Sequence, residues 1–201
     1  MNSFREKTPV RTQLEIEKYT DGLTFKQLRN DFNGRCGYCD TSDKYMTINY
    51  FEPDHFKPRK KFIHLEHEYS NLVYSCKNCN MFKSSYWVCE DENICENESG
   101  TEGMIDPCSK RYTRLFHRKA NGQVRMTEDP MSKFIYKRLK LYLQKRTFYF
   151  QVDQIDYKID KIINHKNKDR LTVDEMLALY KIKDEIAKLV NNVELAYKLK
   201  E

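Results

Sequence analysis

At 201 residues the chain is about one ordinary domain, or one small domain with an appendage. Charged residues make up 33% and hydrophobic ones 39%, which excludes one thick core through the whole length; 13% aromatics exclude wholesale disorder. No run of about 18 apolar residues offers a membrane span, and 36 Lys and Arg against 30 Asp and Glu leave a net charge of +6.

The opening residues lack the apolar stretch of a secretory signal, so the chain reads as cytoplasmic, with no membrane association. Residues 1–35 read as a helical lead. Leu14, Ile16, Tyr19, Leu23, Phe25, Leu28 and Phe32 recur at intervals of two to four residues over 11–33, which reads as helical, and Asp21 or Thr24 can cap a second helix there. Asn33-Gly34 stops it. Tyr45 to Phe51 is rich in β-formers and predicts a strand ended by Pro53. Asn71 to Tyr74 predicts a second strand, and a helix begins over 80–87. Together these make a unit over 36–88. Residues 89–130 form an acidic loop and then a hairpin turning at Asn121-Gly122. From 131 to 201 the spacing is helical, first over 134–162 and then from Met176 to Val190. Thr172 and Glu175 between them have capping-box spacing, so a helical hairpin is expected.

Four cysteines form two pairs, Cys36/Cys39 and Cys76/Cys79, with 36 residues between them. A tetrahedral Zn²⁺ needs two close cysteines from each of two knuckles, and this spacing supplies them. Two disulfides are the worse explanation for a cytosolic chain. Between the knuckles stand Glu52-Pro53-Asp54-His55, then Asn71-Leu72; Asn80 and Lys83 follow the second knuckle. His55 can take a proton near neutral pH, which suits a general base. Asp54 and the amide oxygen of Asn80 are hard ligands for Mg²⁺ or Mn²⁺. Successive residues of a strand point opposite ways, so Asp54 and His55 need a local bend to serve one point.

This order of elements over 36–83 resembles the HNH endonuclease family, with Asn80 where the last eponymous His stands. The resemblance implies an α+β, mainly α fold. A small ββα-metal core is stapled by a four-cysteine structural zinc, with the helical lead and helical hairpin on either side. It implies that Asn71 orients the base and that Lys83 approaches the phosphate. Lys57, Arg59, Lys60 and Lys61 follow the Asp-His pair and are candidate nucleic-acid contacts, with Arg111, Arg114 and Arg118 as weaker ones. The layout over 4–150 is also similar to HNH effector nucleases of Septu-type and retron-associated anti-phage systems. That similarity implies an ATPase partner of the ABC or structural-maintenance class; DNA is the expected substrate.

Bland readings stand beside these. Asp54-His55 can be a turn with a surface histidine, Asn71 a strand-start cap, Asn80 a helix cap and Lys83 a solvated residue; four such coincidences between two knuckles are needed at once. Cys89, Cys95, Cys108 and His117 fit free thiols better than a second metal site, and Trp87 fits the core. The acidic stretch around Glu90 to Glu98 can serve as a docking surface or mimic phosphates beside the basic loop. The alternatives for the whole chain are an RNA-cleaving effector and a non-catalytic zinc-ribbon binding module.

Overall fold

The structure is a computed structural model that describes residues 2–46, 50–164 and 171–198. At its centre two strands, β2 (Phe51–His55) and β3 (Leu72–Cys76), pair antiparallel from Phe51 opposite Cys76 to His55 opposite Leu72. Helix α2 (Lys77–Lys83) leaves β3 directly. The strand expected over Tyr45 to Phe51 therefore lies later than its β-formers suggest. Residues 47–49 fall outside the described ones, and Pro53 sits inside β2 opposite Tyr74. A strand with one neighbour has a free edge, where a missing N–H costs nothing. The helix also starts earlier than expected, because the second knuckle is its first turn and Ser84, at φ 53°, ends it.

Helix α1 (Gly22–Asp31) packs on this hairpin. Asp21 caps it, accepting from the Leu23 amide at 3.2 Å, and Asn33 and Gly34 stop it at φ 55° and 64°. Residues 11–20 are not helical. Their polar groups are spent on neighbours: Arg11 Nε donates to the Leu72 carbonyl at 2.6 Å, and Thr12 donates from its amide and hydroxyl to Asp31. Leu14, expected in a buried stripe, is 42% exposed. Gly37 in the first knuckle allows close packing, since a Cβ there would meet Phe32 and Val73 at 2.6 and 2.7 Å.

A second sheet runs in the order β1 (Asn2–Ser3), β4 (Phe116–Arg118), β5 (Val124–Met126), after the short helix α3 (Lys110–Arg114). Gly122 turns the β4–β5 hairpin at φ 88°. The helical run expected over 134–162 is two helices, α4 (Pro130–Arg138) and α5 (Gln144–Ile163). Lys140 breaks them at φ 47°, and Arg146 donates to the carbonyls of Leu139 and Lys140 at the break.

Thr172 and Glu175 form the reciprocal capping bonds at the start of α6 (Val173–Lys198). Residues 165–170 of the expected polar break lie outside the described ones. Tyr149, Val152 and Val190 close the α5–α6 seam. Asp156 on α5 accepts from Lys44 and Tyr45 and pairs with Lys183 of α6 at 3.0 Å, which ties core to hairpin. Among the described residues no helix is long and apolar enough to cross a membrane.

Candidate active site and metal centre

The two knuckles bring Cys36, Cys39, Cys76 and Cys79 together. All four are buried, and their sulfurs lie within 4.8 Å of one another. Cys39 and Cys76 are 3.8 Å apart, far beyond a disulfide bond but equal to the edge of a tetrahedron with Zn–S bonds of about 2.3 Å. The donor set and spacing fit Zn²⁺. Among the described residues no other group of three or more His, Cys, Asp or Glu could hold a metal, so Cys89, Cys95, Cys108 and His117 form no second centre.

Asp54 and His55, the last two residues of β2, project to opposite faces of the strand, with no bend between them. Asp54 faces inward. Tyr38 of the first knuckle donates to it at 2.5 Å, and the Lys83 ammonium lies 3.1 Å away. Burial pushes the Asp54 carboxyl above its ordinary value, against the pull of Lys83 and Tyr38. Lys83 itself is fully buried and also donates to the His55 carbonyl at 2.7 Å. It was expected near the phosphate; its ammonium is turned away from solvent, into the joint between β2 and α2.

One helical turn earlier, Asn80 donates from Nδ2 to Glu52 at 2.8 Å, and both are half-buried. Helix α2 thus lies along β2 with Asn80 on Glu52 and Lys83 on Asp54. Glu52, Asp54 and Asn80 place three hard oxygen donors on this side of the hairpin.

The His55 ring is buried against the loop that joins the strands. Its Nε2 lies 2.9 Å from the carbonyl oxygen of Glu66. A carbonyl only accepts, so Nε2 carries the proton and, in the neutral ring, Nδ1 keeps the free lone pair. Burial pulls the imidazole below its ordinary value, although the Glu66 bond and Asp54 oppose that. Asn71 makes no hydrogen bond to the ring. Its amide grips the Lys57 backbone, accepting from the amide at 2.8 Å and donating to the carbonyl at 3.0 Å, while its own carbonyl takes the Phe56 amide. It fixes the chain immediately after His55.

Of the basic residues, Arg59, Lys60 and Lys61 are exposed and Lys57 is half-buried. Arg59 pairs with Glu66 at 2.8 Å and Lys61 with Glu90 at 3.0 Å; His64 meets Glu92 at 2.8 Å, so the acidic stretch lies against the basic loop. Arg111 pairs with Glu96. Arg118 is buried and donates to the carbonyls of Phe4 and Gly122, which takes it out of reach of a nucleic acid. Trp87 is core, edge-on to Phe56 and Phe62. The sequence pattern does not point to Tyr38, Glu52 or the Glu66 carbonyl as parts of the site. Glu52 alone could have been found, as it stands two residues before Asp54 and so on the same face of the strand.

Residues 36–85 match the family model of the HNH endonuclease, a stretch that holds the two cysteine knuckles, the β2–β3 hairpin and α2. Over 212 aligned residues the chain is 26% identical to the Septu protein PtuB of Bacillus mycoides (strain KBAB4), covering 92% of this chain and 70% of that protein. No solved structure matches the chain.

Proposed function

We propose that the protein is a metal-dependent endonuclease that hydrolyses DNA, working as the effector of an anti-phage defence system beside an ATPase partner. The likeness to the Septu protein supports the defence role and the partner; the HNH domain supports the chemistry. The observation that carries the chemical reading is His55, with Nε2 held on the Glu66 carbonyl and Nδ1 left basic.

In this reading Nδ1 of His55 takes a proton from the attacking water. Asp54 and Asn80, with Glu52 beside them, would hold Mg²⁺ or Mn²⁺ on the other face of β2 from the His55 ring, so the phosphate has to meet both across the free edge of that strand; the metal would supply charge neutralisation and help for the leaving oxygen. Lys83 is a positioning residue, holding the Asp54 carboxylate and the His55 backbone together. Asn71 positions His55 by clamping Lys57. Arg59, Lys60 and Lys61, with Lys57, contact the phosphate backbone. The cysteine zinc holds hairpin and helix together and takes no part in the reaction.

The test is cleavage of plasmid DNA and of total RNA by the purified protein with Mg²⁺, with Mn²⁺ and with EDTA, alone and with a co-purifying ATPase. DNA cleavage abolished by EDTA is the expected result. Cleavage of RNA alone moves the substrate class, and inactivity on both, with the ATPase present, leaves a binding module.

A further inference from the structure

Tyr19 belongs to the lead segment, well outside residues 36–85, yet its ring packs edge-on against the His55 imidazole with centroids 4.6 Å apart and planes at 71°. The same side chain meets Arg59 twice. The guanidinium donates to the Tyr19 hydroxyl at 3.1 Å and lies 5.6 Å from the ring centroid. His67 stacks on Tyr19 at 5.9 Å, and the Tyr19 amide reaches His67 Nδ1 at 3.4 Å. Glu66 completes the arrangement, since its carbonyl oxygen holds His55 and its carboxylate holds Arg59.

A hydrogen bond at one nitrogen fixes one end of an imidazole and leaves the ring free to swing about it or to flip. An aromatic wall removes that freedom, and edge-on packing is one of the geometries that two aromatic rings prefer. Arg59 stands four residues after His55, exposed, and is held by Tyr19 and Glu66. One tyrosine therefore contacts both the ring that carries the basic nitrogen and an exposed guanidinium four residues on. We propose that Tyr19 is a positioning residue of the nuclease site, so that the site is incomplete without the N-terminal segment. This rests on the reading of His55 as the general base.

The segment is anchored for such a role. Arg11 bonds to the Leu72 carbonyl and forms an ion pair with Asp106 at 2.8 Å, and Thr12 bonds to Asp31. These contacts fix the segment ahead of Tyr19 against the start of β3 and the end of α1.

The test compares wild type, Tyr19→Phe, Tyr19→Leu and His55→Ala in the full chain. Imidazole ¹⁵N–¹H spectra read the base directly and need no partner or substrate. Wild type and Tyr19→Phe give one fixed Nε2–H form of His55, and Tyr19→Leu loses that N–H signal to solvent exchange. In Mg²⁺-dependent DNA cleavage, Tyr19→Leu lowers kcat on the order of 10²-fold, as a misplaced catalytic group does, with zinc content and melting temperature kept. Tyr19→Phe, which retains the ring, recovers most of that loss. A His55 signal in Tyr19→Leu identical to wild type overturns the proposal, as does Tyr19→Phe impaired as severely as Tyr19→Leu. If His55→Ala is inactive while Tyr19→Leu cleaves at the wild-type rate, only the role of Tyr19 falls. An active His55→Ala protein overturns the base assignment as well.

Discussion

The Lys83 ammonium donates to the His55 carbonyl at 2.7 Å while standing 3.1 Å from the carboxylate of Asp54. One buried cation thus joins the end of α2 to the last two residues of β2. The cost of burying it is offset only because its partners are in place: the Asp54 carboxylate, the His55 carbonyl and, through Asp54, the Tyr38 hydroxyl. Lys83→Met leaves Asp54 buried without its counter-ion and is expected to cost about 3–5 kcal/mol of stability. Denaturant titration of zinc-loaded protein measures it. Double replacement, Lys83→Met with Asp54→Asn, is expected to recover much of the loss in stability but not the cleavage activity.

The pH dependence of cleavage follows from His55. A base must be neutral, and burial holds this imidazole below the ordinary histidine value of about 6.5. As pH falls through that lowered value the ring protonates and activity is lost, so the acid limb of the kcat/KM profile has its midpoint below about 6.5. A profile measured under one fixed metal checks this; a midpoint above about 7 contradicts it.

Metal removal separates two kinds of dependence. A structural zinc site contributes folding free energy outright, on the order of 10 kcal/mol in small domains. Cys79→Ser is therefore expected to lose zinc and the cooperative melting of the HNH domain together, with no recovery of activity on adding Mg²⁺. Metal analysis and calorimetry check it, wild type holding one zinc per chain. Removing only weakly held divalent ions is expected to stop cleavage reversibly and leave the melting temperature unchanged.

Much of the site was legible because its parts are close in sequence. The knuckle spacing brings four sulfurs together, and Asp54, His55, Asn71, Asn80 and Lys83 all fall on one hairpin and its helix. What was not legible depends on tertiary contact. Leu14, Ile16 and Tyr19 belong to the apolar pattern that reads as helical, but 11–20 is not helical, and Arg11 and Thr12 bond instead to β3 and α1. The break at Lys140 is invisible in the apolar pattern; it is held by Arg146, which donates to the Leu139 and Lys140 carbonyls from beyond it. Pro53 reads as a strand end in a central strand but is tolerated in a two-stranded hairpin. Glu66 acts on His55 through its backbone, which no side-chain pattern reveals.

The helical hairpin is expected to come loose in acid. Burial raises the pKa of Asp156, but the bonds from Lys44, Tyr45 and Lys183 outweigh it and leave the carboxyl below its ordinary value; Lys183 and Lys44 lower Asp160 likewise. A depressed folded value means the stabilisation is present above the unfolded carboxylate value, near 4, and is lost as pH falls through the folded one. Asp156→Asn, which leaves part of a buried network unpaired, is expected to cost about 1–3 kcal/mol at neutral pH. It should also flatten the fall in melting temperature between about pH 5 and 2. An unchanged pH slope in Asp156→Asn contradicts the assignment.

If His55 is the base of a metal-dependent nuclease, the rate of His55→Ala under single-turnover conditions shows it. Loss of a general base costs about 10²–10⁴-fold in rate. The expected result is a loss of that size with zinc content, melting temperature and DNA affinity retained. Cleavage by His55→Ala at the wild-type rate, under the same metal, would contradict it.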